Sequence, residues 1–248
     1  MAISWLPMLM YAQSASLSSD RPGQANSALV IGKNFWQWQS GAQWTKGLQG
    51  ADDEQNLLFE NVLRFGLTDD LDGALLFNFD GNQSLLANEV QREAGISTWG
   101  VRLRHASWQG DGWFKAIGWQ FDLLFPAIRE FRQDNYLGGM WTSMMEFQWG
   151  DQWGTSVNLG LRWVDGESAL VYFVVNMNKS FDQWSIFAEQ YSYQLANGEW
   201  PLQWDGGVAF LLNPNWQLDA SAGYSFINQS GFYFLNAGFT WRLAPKRS

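Results

Sequence analysis

Leu57-Leu58-Phe59-Glu60-Asn61-Val62-Leu63-Arg64-Phe65-Gly66-Leu67, followed by Thr68-Asp69-Asp70, decides the fold. Read at every second residue, Leu57, Phe59, Leu63, Phe65 and Leu67 share one face, while Glu60 and Arg64 share the other with Val62 and Gly66. A period of two belongs to a β-strand, whose successive side chains point to opposite faces. The aspartates that follow are turn residues. An ordinary globular strand has roughly 5–6 residues, and this run reaches the roughly 9–11 that a tilted membrane-spanning strand needs.

The same alternation recurs along the chain. It predicts twelve strands, over residues 34–46, 55–67, 71–80, 95–107, 112–124, 136–149, 153–164, 168–178, 183–194, 201–212, 216–226 and 231–242. Tight connections at Thr68–Asp70, Gly110–Gly112, Gly150–Gln152, Lys179–Asp182 and Asn213–Asn215 alternate with longer ones at 47–54, 81–94, 125–135 and 195–200. Short turns at one end and long loops at the other are the layout of a transmembrane up-and-down antiparallel β-barrel of the outer membrane, and an even strand count places both termini on the periplasmic side. The apolar, uncharged residues 1–15 read as the remnant of a secretory signal, ending near the small residues Ala12 and Ser14. Residues 16–248 read as one barrel domain, with no composition break to suggest a linker.

Composition bears on what such a barrel could do. Of the 248 residues, 17% are aromatic, including 17 Trp, and 16% are charged. No run approaches the roughly 20 apolar residues of a spanning helix. A net charge of −9 without a basic stripe excludes nucleic acid as a partner. The absence of Cys and the single His remove thiolate chemistry and His/Cys zinc sites from the inventory, and no metal or cofactor is expected. The Trp, Phe and Leu of twelve strands exceed what a small barrel interior holds, so the aromatic face is placed outward, toward lipid. Trp36, Trp108, Trp113, Trp149, Trp153, Trp184, Trp216 and Trp241 then fall near the short-turn rim, and Trp44, Trp99, Trp163, Trp200 and Trp204 near the other. A Trp-rich sugar-binding sandwich is the competing reading, and it leaves strands of this length unexplained.

The opposite face becomes the lumen. Its candidate lining, and the candidate determinants of selectivity, are Glu60, Arg64, Arg102, Arg104, Asp122, Glu146, Arg162, Glu189, Asp205 and Asp219. Those charges either line an aqueous path that selects solutes, or pair off and plug the barrel. The first alternative makes the protein a passive channel or transporter for small solutes. The second makes it a structural or partner subunit of an outer-membrane complex. Residues 81–94 and 125–135, with Leu85, Leu86, Phe125, Ile128 and Phe131, are lid candidates, and Asp52-Asp53-Glu54 reads as a solvated acidic loop. Expected partners are the bilayer with its lipopolysaccharide, a small solute, and other outer-membrane subunits. Catalytic residues are not expected, because His105 falls on the apolar face near the short-turn end.

Three segments carry a family likeness. Ser19-Asp20-Arg21-Pro22-Gly23 with Val30-Ile31-Gly32-Lys33-Asn34-Phe35-Trp36-Gln37 and Gly41 resembles the "DRP … P-x-G … Q-x-E-x-G" opening of the MetA-pathway phenol-degradation family of outer-membrane transporter barrels. Glu60–Leu71 resembles that family's "LRYGLTDxLE" hairpin, and Gly238-Phe239-Thr240-Trp241-Arg242-Leu243 resembles the aromatic last strand of such barrels. Ile31 stands where the family has Pro, a Gln at or beside position 39 replaces the Glu, and Ala244–Ser248 follow the last strand. The resemblance implies passage of aromatic or hydrophobic compounds and assigns no binding residue.

Overall fold

Alternating runs become strands because each buries its polar face against the polar faces of the others and turns its apolar face out. The computed structural model describes residues 17–48, 55–86, 89–126, 128–129, 137–164, 169–195, 198–227 and 230–243. The strands are β1 (Trp36–Leu48), β2 (Gln55–Gly66), β3 (Leu71–Leu86), β4 (Glu89–Gln109), β5 (Phe114–Phe125), β6 (Ile128–Arg129), β7 (Gly138–Trp149), β8 (Trp153–Val164), β9 (Leu170–Phe181), β10 (Trp184–Tyr193), β11 (Gln203–Asn213), β12 (Trp216–Ile227) and β13 (Ser230–Leu243). Leaving out the two-residue β6, which adds only the rungs Gly95↔Arg129 and Ile96↔Ile128, each strand pairs antiparallel with the next. β1 then pairs with β13 from Trp36↔Leu243 to Leu48↔Gly231, closing a twelve-stranded barrel without a free edge.

Burial fixes which face is which. On β2 Leu57, Phe59 and Leu63 are exposed while Arg64 is fully buried; on β4 Trp99, Val101 and Leu103 are exposed while Arg104 is fully buried. An inside-out burial pattern of this kind, with arginines inside and tryptophans outside, is that of a membrane-spanning barrel. Trp36, Trp108, Trp113, Trp149, Trp153 and Trp184 lie exposed around the short-turn end, and Trp99, Trp200 and Trp204 around the other. Several are braced by neighbours, as where Trp108 stacks on Phe114 at 5.0 Å.

Two expectations need correction. Residues 81–86 and 89–94 are strand and not loop: β3 and β4 continue as a paired hairpin from Asp80↔Gly95 to Leu86↔Glu89, because the ladder is made by backbone groups and holds where the apolar alternation that marked the strand has faded. The lid assigned to 125–135 is interrupted by β6 at Ile128–Arg129. The signal remnant 1–15, the acidic loop 52–54, Phe131 and the tail 244–248 lie outside the described residues.

Candidate functional site

Residues 17–33 carry no regular hydrogen-bonding pattern of their own and run inside the barrel. A buried chain without a ladder needs partners for its N–H and C=O groups, since an orphaned one costs about as much as a lost hydrogen bond. The wall supplies them from all round the lumen. Glu189 on β10 accepts from the backbone N–H of Gln24 and, at 3.2 Å, from that of Ala25. Glu146 on β7 accepts from the Ser27 hydroxyl at 2.6 Å and the Ala28 N–H at 2.8 Å. Asn158 on β8 accepts from the Asn26 N–H at 2.6 Å and donates to the Asn26 carbonyl at 2.9 Å. Asp72 on β3 accepts from the Ile31 N–H at 3.1 Å, and Arg64 on β2 donates to the Ser18 and Leu29 carbonyls, each at 3.3 Å. Gln217 on β12 donates to the Arg21 carbonyl at 3.3 Å. The polar lumen face thus acts as the solvent of this segment.

Asp20 and Arg21 are its charged centre. Arg104 grips Asp20 with two bonds, of 2.8 and 2.7 Å, while Arg64 and Arg102 stand 3.7 and 3.8 Å from the same carboxylate. Against a burial that would raise it, these arginines hold the Asp20 carboxyl well below the usual carboxylate range. Arg64 also pairs with Asp72 at 2.6 Å, and Arg102 makes a bidentate pair with Asp122 at 2.8 Å. Arg21 turns the other way, to Asp219 at 3.1 Å, Asn236 at 2.5 Å and Glu60 at 3.5 Å. Its guanidinium lies across the Gly41↔Gly238 pair of the closing seam, where a Cβ on Gly41 would come within 2.1 Å of it. At Gly238 a Cβ would also meet the Ser40 carbonyl oxygen at 2.3 Å, so glycine is needed there for the close approach of the two strands.

The small apolar residues of the segment find apolar spots on an otherwise polar wall. Ala28 is buried with Ala116 and Met144, and Ala25 packs against the cluster of Tyr172, Val174 and Tyr191. Tyr172 stacks on Tyr193 at 5.8 Å, and its hydroxyl bonds Thr142. Two cavities of about 280 Å³ each flank the segment. One, toward the long-loop end, is bounded by Arg21, Glu60, Arg102, Asp122, Tyr172 and Tyr193. The other, toward the short-turn end, is bounded by Ser19, Ala25, Ser156, Asn178, Ser185 and Gln217.

The model of the family described as "Putative MetA-pathway of phenol degradation" matches residues 19–243. The chain belongs to this family. The match begins at Ser19, so the lumen segment is inside the family domain together with the strands. No curated protein matches the sequence. Among solved structures, an outer-membrane channel from Pseudomonas putida F1 is similar with a TM-score of 0.61 at 12% identity, covering 90% of this chain and 99% of that one. The CymD monoaromatic hydrocarbon channel is similar with a TM-score of 0.51 at 9% identity, covering 87% and 90%. The outer membrane phospholipase A from Escherichia coli is similar with a TM-score of 0.50 at 11% identity, covering 90% and 93%. At these identities the likeness is one of fold.

Within this family member, the structure brings most of the predicted lining together. Arg64, Arg102, Arg104 and Asp122 form one cluster around Asp20; Glu60 and Asp219 meet at Arg21; Glu146 and Glu189 clasp the segment's backbone. Asp205 is buried across the ladder from Glu189. Arg162 stands apart, exposed near the long-loop end of β8. Sequence reasoning missed Asp20 and Arg21, which it read only as part of a family motif, as well as Asp72, whereas the strand alternation does put Asn158 and Asn236 on the inner face. The signal was available in the polar stretch between the apolar leader and the first strand. His105 lies on the outer face as expected, stacked on Trp119 at 5.5 Å, with its Nδ1 at 3.0 Å from Ser107 Oγ. Asp70 is 3.7 Å from its Nε2, beyond hydrogen-bonding reach, so this trio lacks the tightly held imidazole that activates a serine.

Proposed function

We propose that the protein is a passive channel of the bacterial outer membrane for small solutes, aromatic or hydrophobic ones among them, with its termini at the periplasmic side and no catalytic step. The observation that carries this reading is the charge-lined lumen with a cavity on each face of the internal segment. An apolar cavity of about 150 Å³ is enough to hold a benzene, and each of these measures about 280 Å³. Solved proteins of similar fold that are named as channels, one of them for monoaromatic hydrocarbons, support it. In this reading Glu60, Arg64, Arg102, Arg104, Asp122, Glu146, Arg162, Glu189, Asp205 and Asp219 tune which solutes pass, lipid and lipopolysaccharide surround the outer face, and the long-loop end faces outward.

The plugged reading retains one specific support, since the segment crosses the lumen and side chains of several wall strands bond its backbone. Reconstitution in a planar bilayer separates the two. A channel gives discrete small conductance steps, and replacing Arg102 and Arg104 by Gln shifts the reversal potential in a KCl gradient toward cations. Silent bilayers, with solute uptake by cells unchanged on deletion, would favour the structural subunit.

A further inference from the structure

We infer that Asp20 and Arg21 set the charge selectivity of the lumen, each by neutralising one of two opposed sectors of its wall. The inference rests on the channel reading. One sector centres on a basic cluster within β2 to β5: Arg64, Arg102 and Arg104 exceed their wall partners Asp72 and Asp122 by one charge, and that excess faces Asp20, while the same strands also carry Glu60, which faces Arg21 at 3.5 Å, and the buried Asp80. The other, on β10 to β12, is acidic. Glu189, Asp205 and Asp219 are buried on successive strands whose sequences contain no Lys or Arg. Arg21 reaches into this sector from the segment, at 3.1 Å from Asp219.

Neighbouring side chains of an extended chain point to opposite sides. A consecutive acid and base can therefore face opposite walls of a narrow barrel, which separate segments would otherwise have to do. The two walls set up a field across the lumen, and the dipeptide cancels part of it from within. An ion that passes the segment meets whatever charge the dipeptide leaves uncompensated, as it would meet a ring of charges in a pore. Removing one member exposes one sector and leaves the other covered.

Adjacent substitutions thus have opposite consequences, which a merely structural role for the segment would not produce. In planar bilayers under a KCl gradient, Asp20→Asn is expected to shift the reversal potential toward anions and Arg21→Gln toward cations. Each shift amounts to about sevenfold in the cation-to-anion permeability ratio, because one unit charge about 7 Å from the path at the dielectric of water changes each ion's Boltzmann factor about threefold, in opposite senses. The double variant returns close to the parent. Shifts of the same sign, or none, in conducting barrels overturn the inference and leave the channel reading intact. Silence of the parent and all variants overturns the channel reading, and selectivity with it. The sector pairing is then read from the temperature of the heat-dependent gel shift in detergent. Both single variants lower it if the pairs hold the segment, and unchanged temperatures overturn the pairing too.

Discussion

Arg104 illustrates how a buried charge is tolerated at a single residue. Its guanidinium is fully buried and gives two bonds to Asp20 and two to Gln120, so nearly all its donors are used. Removing one partner of a buried pair is far more costly than never having built it. Arg104→Met is therefore expected to destabilise the barrel by about 3 kcal/mol, the low end of the cost of breaking a buried pair, because Arg64 and Arg102 remain within 4 Å of the abandoned carboxylate. Urea unfolding in lipid vesicles measures it. A loss below about 1 kcal/mol, the scale of an exposed pair, would mean that water replaces the guanidinium at no great cost and that the cluster is open to the cavity beside it.

At the scale of the element, β8 shows the two solvents meeting on one strand. Asn158 is fully buried and holds Asn26 from the inner face, whereas Leu159, one residue on, is 54% exposed on the outer face at mid-strand. The structure places bilayer there, so Leu159→Arg is expected to cost about 2–4 kcal/mol in refolding into vesicles, the midplane penalty for a cation facing lipid. Asn158→Ala is expected to leave lipid insertion intact and loosen only the segment at Asn26. Limited proteolysis near Asn26 together with a vesicle refolding titration distinguishes the pair. An arginine at 159 without penalty would place the outer face in water. The same alternation explains why strand positions were legible in the sequence while the β3–β4 hairpin was not: the apolar side of residues 81–94 fades beyond the membrane, but the strand pairing does not need it.

For the whole molecule, the acid response follows from Asp20. Folding lowers its carboxyl below the ordinary value of 3.8. Its stabilisation is therefore complete above that ordinary value and disappears only as the pH falls through the depressed one. The docked segment is expected to survive transfer from pH 7 to pH 4 and to release in stronger acid, as followed by protease access to residues 17–33. Release between pH 7 and 5 would show that Asp20 does not hold the arginines. Sequence alone carried the barrel, its outward aromatic face and most of its inward charges, because period two and turn chemistry are local properties. It did not carry the partner of those charges. Residues 17–33 have no period, and an irregular segment is assigned to the lumen only by the wall that surrounds it. Ten inward charges were read as a lining in search of a solute; seven of them touch or stand within 4 Å of residues 17–33, Asp122 and Asp205 stand beside members of that set, and Arg162 stands apart.

The placement of Arg21 over the Gly41↔Gly238 seam also bears on how the protein assembles. The contacts of the segment are among the longest in sequence, with Ser19 bonding Thr240 and Arg21 bonding Asn236. Contacts of that separation form late, because the chain between them must first be ordered. The first and last strands meet where the guanidinium rests, so the docking of residues 17–33 is expected to accompany the zipping of β1 to β13. A nascent barrel whose segment 17–33 is still outside would have to close over an empty glycine groove, with Asp219 and one of the three arginine charges unmatched. The segment is then as much a fastening for the finished cylinder as an occupant of it.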